Sequence, residues 1–252
     1  MKLSPSGCSI STAKSRRTAP PPVRTRNKGW TKHAALRNRK FLFSVVPEQL
    51  TGFGFACTFT IFDCPDPETW AYLVKKFFIY AGRKWDMTRY HCVTEWQIRG
   101  MPHLHIAIWF YGRREERSRV DTNRPLSSPD DERHTYDEND VPTEDQLIRL
   151  WMHIASELQP SRLGQDVKPI PQNDAGHWLQ YLAKHGSRGV SNYQRHFSNV
   201  PKSWQGRTCQ VWNKGGDWPC ENPVKVIGLT KAQEYQIRRI FCRYLASVPS
   251  SQ

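Results

Sequence analysis

The sequence predicts an α+β fold, in which antiparallel strands alternate with separate amphipathic helices. Three patterns predict it: a period-two stretch at 53–62, a helix-spaced apolar series at 70–81, and two strand-like runs at 89–98 and 103–111 around the turn Arg99-Gly100.

Taken in order, residues 1–40 hold Pro20-Pro21-Pro22 and many Ser, Thr and Arg, a composition that buries too little apolar surface to offset ordering entropy. A disordered basic arm is expected there. From 53 to 62, Phe53, Phe55, Cys57, Phe59 and Ile61 alternate with Gly54, Ala56, Thr58 and Thr60, giving a strand with one aromatic and one small face. Asp66-Pro67 opens a helix whose inner residues are Trp70, Leu73, Val74, Phe77, Phe78 and Ala81, with a stop expected at Gly82.

Residues 115–145 contain eleven acidic and four basic side chains among Ser, Pro and Asn, the mark of a surface insertion, bounded at about 112–142. Thr143 with Gln146 three positions on predicts a capping box for a helix facing inward through Leu147, Leu150, Trp151, Ile154 and Leu158. A short strand at 167–170 and a helix over 174–185, ended by the turn 186–189, follow. The stretch 194–223, rich in Trp, Gly and Pro, has no clear period, and 231–245 reads as a terminal amphipathic helix. The expected division is an arm at 1–40, a catalytic domain at 41–205 and a C-terminal extension at 206–252.

The formal charge is +14, and residues 1–40 supply eleven Lys or Arg with no Asp or Glu. Such an excess favours a polyanionic partner, because clustered cations release condensed counterions from nucleic acid. Seven cysteines without a Cys-x-x-Cys pair argue against a disulfide framework or a structural zinc site and favour a reducing cytoplasm. Neither a secretory signal nor a membrane-spanning apolar run is visible.

The segment most informative about chemistry runs from Glu95 to His105. His103 and His105 are two apart on a strand and share a face, while Leu104, Ile106, Ile108 and Phe110 share the opposite one. If paired residues sum to 198, Ile98-Arg99-Gly100 forms the hairpin loop and Glu95 lies across from His103; Pro102 in the second strand is then easiest to accept at a sheet edge. Two imidazoles and a carboxylate on one face suit a divalent cation with coordination sites left open.

A second segment, His177 to His185, divides as a helix into an apolar side (Trp178, Leu179, Leu182, Ala183) and a polar side that carries Tyr181 with Lys184 one turn later. A phenol with an ordinary pKa near 10 needs a neighbouring cation or metal to act as nucleophile at neutral pH. Lys184 could supply that charge, or contact the phosphate or leaving oxygen.

Cys57-Thr58-Phe59-Thr60, Glu95 with His103-Leu104-His105, and Tyr181-Leu182-Ala183-Lys184, in that order, resemble the three motifs of the HUH endonucleases. Within that superfamily the chain looks most like rolling-circle replication initiators of single-stranded DNA phages and plasmids. The resemblance implies a central antiparallel sheet of about five strands with helices packed on one face. It also implies Mg²⁺ or Mn²⁺ on Glu95, His103 and His105, Tyr181 as the nucleophile, and Lys184 as its assistant. The implied reaction nicks single-stranded DNA at an origin, leaving a 5′-phosphotyrosine and a free 3′-hydroxyl, and religates it later.

His185 stands where some initiators carry a second tyrosine, so one nucleophile is the better reading, with Tyr193 held in reserve. Arg99, Lys184, Arg188, Arg195 and Arg207 are the expected DNA contacts; Trp204, Trp212 and Trp218 either stack bases or belong to the core. No helicase motif of the Gly-x-x-x-x-Gly-Lys-Ser/Thr type is present, so a host helicase and polymerase are expected partners. Three other readings remain open: a transposase or relaxase with the same chemistry, a non-catalytic nucleic-acid-binding module, and a non-haem iron oxygenase.

Overall fold

The computed structural model describes residues 2–4, 7–9, 29–111, 141–171, 194–205, 208–222, 224–225 and 228–247. The expected helix at 174–185, with Tyr181 and Lys184, lies outside these residues, as do Arg188, Tyr193, Arg207 and nearly all of the acidic insertion.

Strands β1 (Lys2–Ser4) and β2 (Gly7–Ser9) precede helix α1 (Lys32–Ser44). Strand β3 (Phe53–Thr60), helix α2 (Pro67–Trp85), and the hairpin of β4 (Met87–Trp96) and β5 (Pro102–Phe110) come next. Helix α3 (Glu144–Ile154), strands β6 (Asp166–Ile170), β7 (Trp212–Gly216) and β8 (Val224–Lys225), and helix α4 (Lys231–Ser247) complete the described elements. Five strands form an antiparallel sheet in the order β6-β3-β5-β4-β7, and a small second sheet has the order β2-β1-β8.

The aromatic face of β3 meets α2 and α3, the two helices on the expected side of the sheet. Phe59 stacks on Trp151 of α3 at 5.2 Å between ring centroids, and Trp151 meets Trp70 of α2 edge-on at 5.8 Å. The small face of β3 is small for a reason: a Cβ on Gly54 would lie 2.7 Å from Nε1 of Trp109 on the paired strand. Both helix starts are capped as expected. Asp66 Oδ1 accepts from the Thr69 amide at 2.8 Å, and the reciprocal capping box of Thr143 and Gln146 is complete.

Three expectations are corrected. Residues 29–40 do not belong to an arm: Trp30 and Asn38 are buried and α1 starts at Lys32. α2 runs past Gly82 to Trp85, because the extra turn buries Trp85 against Phe110, which outweighs the ~1 kcal/mol helix cost of one glycine. Pro102 needs no sheet edge; β5 is the central strand, and Pro102 is its first residue, where a missing amide donor is harmless. α1 adds a cover on the other face. Ala107 and Trp109 share the histidines' side of β5 yet are apolar, and Phe41, Leu42 and Val45 of the α1 segment pack over them together with Trp218.

Candidate metal centre

The β4–β5 hairpin has the expected register, with Glu95 opposite His103 and Trp96 opposite Pro102. The Gln97 amide donates to the Met101 carbonyl at 2.9 Å, and Gly100 takes the left-handed conformation at φ +84° that closes the turn. Because side chains alternate, the core-facing set of β5 (Leu104, Ile106, Ile108, Phe110) is fully buried, while both imidazoles project from the other side.

There, one ligand atom each from Glu95, His103 and His105 lies within 4.8 Å of the others. Metal–ligand bonds of about 2.0–2.2 Å separate opposed ligands by roughly 4.4 Å, so a small closure would let one cation touch all three. The two imidazole rings stand nearly perpendicular, 4.2 Å apart at 85°. Glu95 is wholly buried and His103 nearly so, and Glu95 Oε2 lies 3.6 Å from His105 Nε2. A buried carboxylate beside two imidazoles is a donor set that fits a divalent metal.

Further contacts orient these ligands. Thr58 Oγ1 lies 3.2 Å from His105 Nδ1, so an Nδ1–H donated to Thr58 leaves the Nε2 lone pair turned toward Glu95. Register places Thr58 beside His105 and Thr60 beside His103, which gives the Cys57-Thr58-Phe59-Thr60 motif a physical role. On the far side of Glu95, Arg195 Nε and Nη2 each lie 2.6 Å from Oε1.

Arg195 was expected to meet DNA; the structure instead puts its side chain at zero exposure, with the guanidinium 3.9 Å above the Trp30 ring. A cation committed to a buried carboxylate is not on offer to a phosphate. Nothing in the local pattern of 194–195 announces this pairing, because its partner lies 100 residues earlier. Likewise Trp204 is buried with its Nε1 donating to the Pro65 carbonyl at 2.6 Å, and Trp218 is buried against Trp109. Those two tryptophans are core. Trp212 is half-buried beneath Arg37, whose Cζ lies 5.8 Å from the ring centroid.

Arg99 keeps an exposed place at the hairpin tip, held by Gln97 Oε1 at 2.7 Å. α1 adds a surface that the sequence patterns did not single out. Lys32, His33, Arg37 and Lys40 are exposed on it, on the same side of the sheet as the two imidazoles. Beneath that helix His91 and Asn38 are both fully buried, with His91 Nε2 2.7 Å from Asn38 Oδ1. Burial, with Lys214 and Arg195 adding to it, pushes the His91 pKa down to about 3.

Among the described cysteines, Cys57, Cys64, Cys92, Cys209 and Cys220 are free thiols, and no helix of the described residues is long and apolar enough to cross a membrane.

The family model of the replication-associated protein ORF2 and its phage counterparts matches residues 55–186, a span that holds the metal hairpin and Tyr181. The chain is 36% identical over 216 residues to a replication-associated protein of Pseudomonas phage Pf3, covering 86% of this chain and 68% of that protein. Two Xylella fastidiosa proteins named as putative replication proteins match over 198 residues each, or 79% of this chain. That of strain 9a5c is 36% identical with 60% of its own length covered, and that of strain Temecula1 is 35% identical with 64% covered. The chain thus spans about two thirds or less of these relatives' length. No solved structure matches it.

Proposed function

Because the chain belongs to this family of replication-associated proteins, we propose that it initiates rolling-circle replication by nicking single-stranded DNA at an origin. The observation that carries the chemistry is the convergence of Glu95, His103 and His105 on the central hairpin.

Tyr181 is the proposed nucleophile. Its oxygen forms a bond to phosphorus, the bond from phosphorus to the 3′ oxygen breaks, and that oxygen takes a proton to become a 3′-hydroxyl. The 5′ end stays joined to Tyr181, and the same steps in reverse reseal the strand. When bound by Glu95, His103 and His105, Mg²⁺ or Mn²⁺ supplies Lewis-acid polarisation of the phosphoryl group. Lys184 stabilises the phenolate that attacks or the oxygen that leaves. Thr58 fixes the orientation of His105, as its 3.2 Å contact with Nδ1 supports. The segment carrying Tyr181 returns to the described chain at Gln194, whose carbonyl accepts from the amide of Trp96, the residue after Glu95.

Single-stranded substrate follows from the mechanism, since a phenol reaches a backbone phosphate more readily on an unpaired strand. The exposed cations of α1 lie on the metal side of the sheet and suit phosphates flanking the cut, with Arg99, Lys184, Arg188 and Arg207 as further contacts. A host helicase and polymerase would then extend the 3′-hydroxyl. Such a protein acts in the cytoplasm of the cell that holds the replicon.

The test incubates wild type and Tyr181→Phe with labelled single-stranded oligonucleotides, including the source replicon's own origin, in Mn²⁺, Mg²⁺ or EDTA. A covalent adduct that needs both metal and Tyr181 is expected on denaturing gels. DNA binding without an adduct on that origin would replace the nickase reading with a binding module.

A further inference from the structure

We propose that Arg195 is a positioning residue for the metal site, one that keeps Glu95 ionised and turned toward the cation before any metal arrives. The inference rests on the metal reading of Glu95, His103 and His105.

The argument starts from burial. An isolated carboxylate taken out of water is penalised in its charged form and takes up a proton, and a protonated Glu95 would be a poor ligand. The guanidinium of Arg195 stays charged at any physiological pH, and its planar fork is suited to a carboxylate. Its side chain and that of Glu95 are both at zero exposure, so their attraction is little screened by solvent.

Geometry gives the pair a direction. Both short contacts from Arg195, Nε and Nη2 at 2.6 Å, fall on the same oxygen, Oε1. The other oxygen, Oε2, is the one turned toward His105 Nε2. One oxygen is therefore committed to the arginine and the other faces the imidazole, so Glu95 offers the cation a single, fixed donor.

The strand itself holds the parts of this clamp. Trp30, whose ring lies 3.9 Å from the guanidinium, is anchored by its Nε1 donating at 2.8 Å to the carbonyl of Thr94, the residue before Glu95. Gln194, the residue before Arg195, accepts at 2.9 Å from the amide of Trp96, the residue after Glu95. The two neighbours of the ligand on β4 thus fix both the arginine and the ring that stacks on it. A buried pair serving stability alone has no need for its carboxylate to be aimed in this way.

Mn²⁺ binding is measured by titration calorimetry and by the loss of free-ion EPR signal for wild type, Arg195→Lys and Trp30→Leu, with metal-free thermal stability recorded in parallel. Arg195→Lys keeps the charge and loses the fork. It is expected to bind Mn²⁺ about 10- to 100-fold more weakly, the usual consequence of losing an outer partner of a ligand. Trp30→Leu leaves the ion pair but frees the guanidinium and is expected to weaken binding several-fold, which keeps the test decisive should the lysine variant not fold. A lowered melting temperature with wild-type Mn²⁺ affinity would assign Arg195 a structural role only and overturn the proposal. Wild-type protein that binds no Mn²⁺ would overturn it too, through failure of the metal reading itself.

Discussion

Acidification offers the sharpest check on the buried face beneath α1. His91 is fully enclosed, 2.7 Å from Asn38 Oδ1, and its pKa is lowered from 6.5 to about 3, mainly by burial. A histidine whose folded pKa lies below its unfolded value binds a proton more readily once unfolded. Its contribution is therefore complete above about pH 6.5 and is lost as the pH falls toward about 3. At pH 5, about 1.5 units into that window, the loss amounts to about 2 kcal/mol at ~1.4 kcal/mol per unit. This is a large share of the roughly 5–15 kcal/mol stability of an ordinary domain.

The assay is urea unfolding in EDTA at pH 7.5, 6.5, 5.5 and 5.0 for wild type and His91→Gln, whose amide can still donate to Asn38 but does not titrate. Other titrating groups contribute to both proteins, so the difference between the two curves isolates His91. That difference should shift against wild type by about 2 kcal/mol between pH 7.5 and 5.0. A difference that stays flat within about 0.5 kcal/mol, the usual scatter of additivity, would refute the picture of a neutral, sealed imidazole.

Three further outcomes are expected. Thr58→Val removes the partner of His105 Nδ1 at nearly constant volume and should weaken Mn²⁺ binding about tenfold or more, read by calorimetry. Trp151→Ala empties the site where α3 stacks on Phe59 and Trp70, so chemical denaturation should register a loss of about 3–5 kcal/mol. Replacing Arg37 and Lys40 with Gln should flatten the salt dependence of single-stranded DNA binding, lowering the log–log slope by about 1 to 2 in fluorescence anisotropy; an unchanged slope would remove α1 from the DNA path.

Much of the metal hairpin was legible before any coordinates, because two rules met in one segment. Period-two alternation put both histidines on a face, and the turn at Gly100 selected the one register that brings Glu95 opposite His103. The helix caps at Asp66 and Thr143 were legible for the same reason: each depends on residues three apart in the chain. Arg195, Trp30 and Asn38 were not, since what defines them is contact across long sequence separations. α1 was hidden by its composition. Its run of Lys and Arg reads as a solvated tail, and only Phe41, Leu42 and Val45, facing Ala107 and Trp109, make it part of the core. β7 was missed because Gly215 and Gly216 dilute the strand pattern. Gly215 is required there, since an added Cβ would come within 2.3 Å of the Tyr90 ring.

The position of β5 has a consequence for how the site exchanges its contents. This strand is paired on both flanks, by β3 and by β4, and carries two of the three donor side chains. The outermost strands β6 and β7 can fray with local opening energies near zero, but freeing β5 means separating the whole sheet. Amides of His103 and His105 should accordingly be among the last to take up deuterium. Cation entry and release then proceed through the open side of the pocket on a scaffold that stays closed, and the donors need not be rebuilt between one cut and the next.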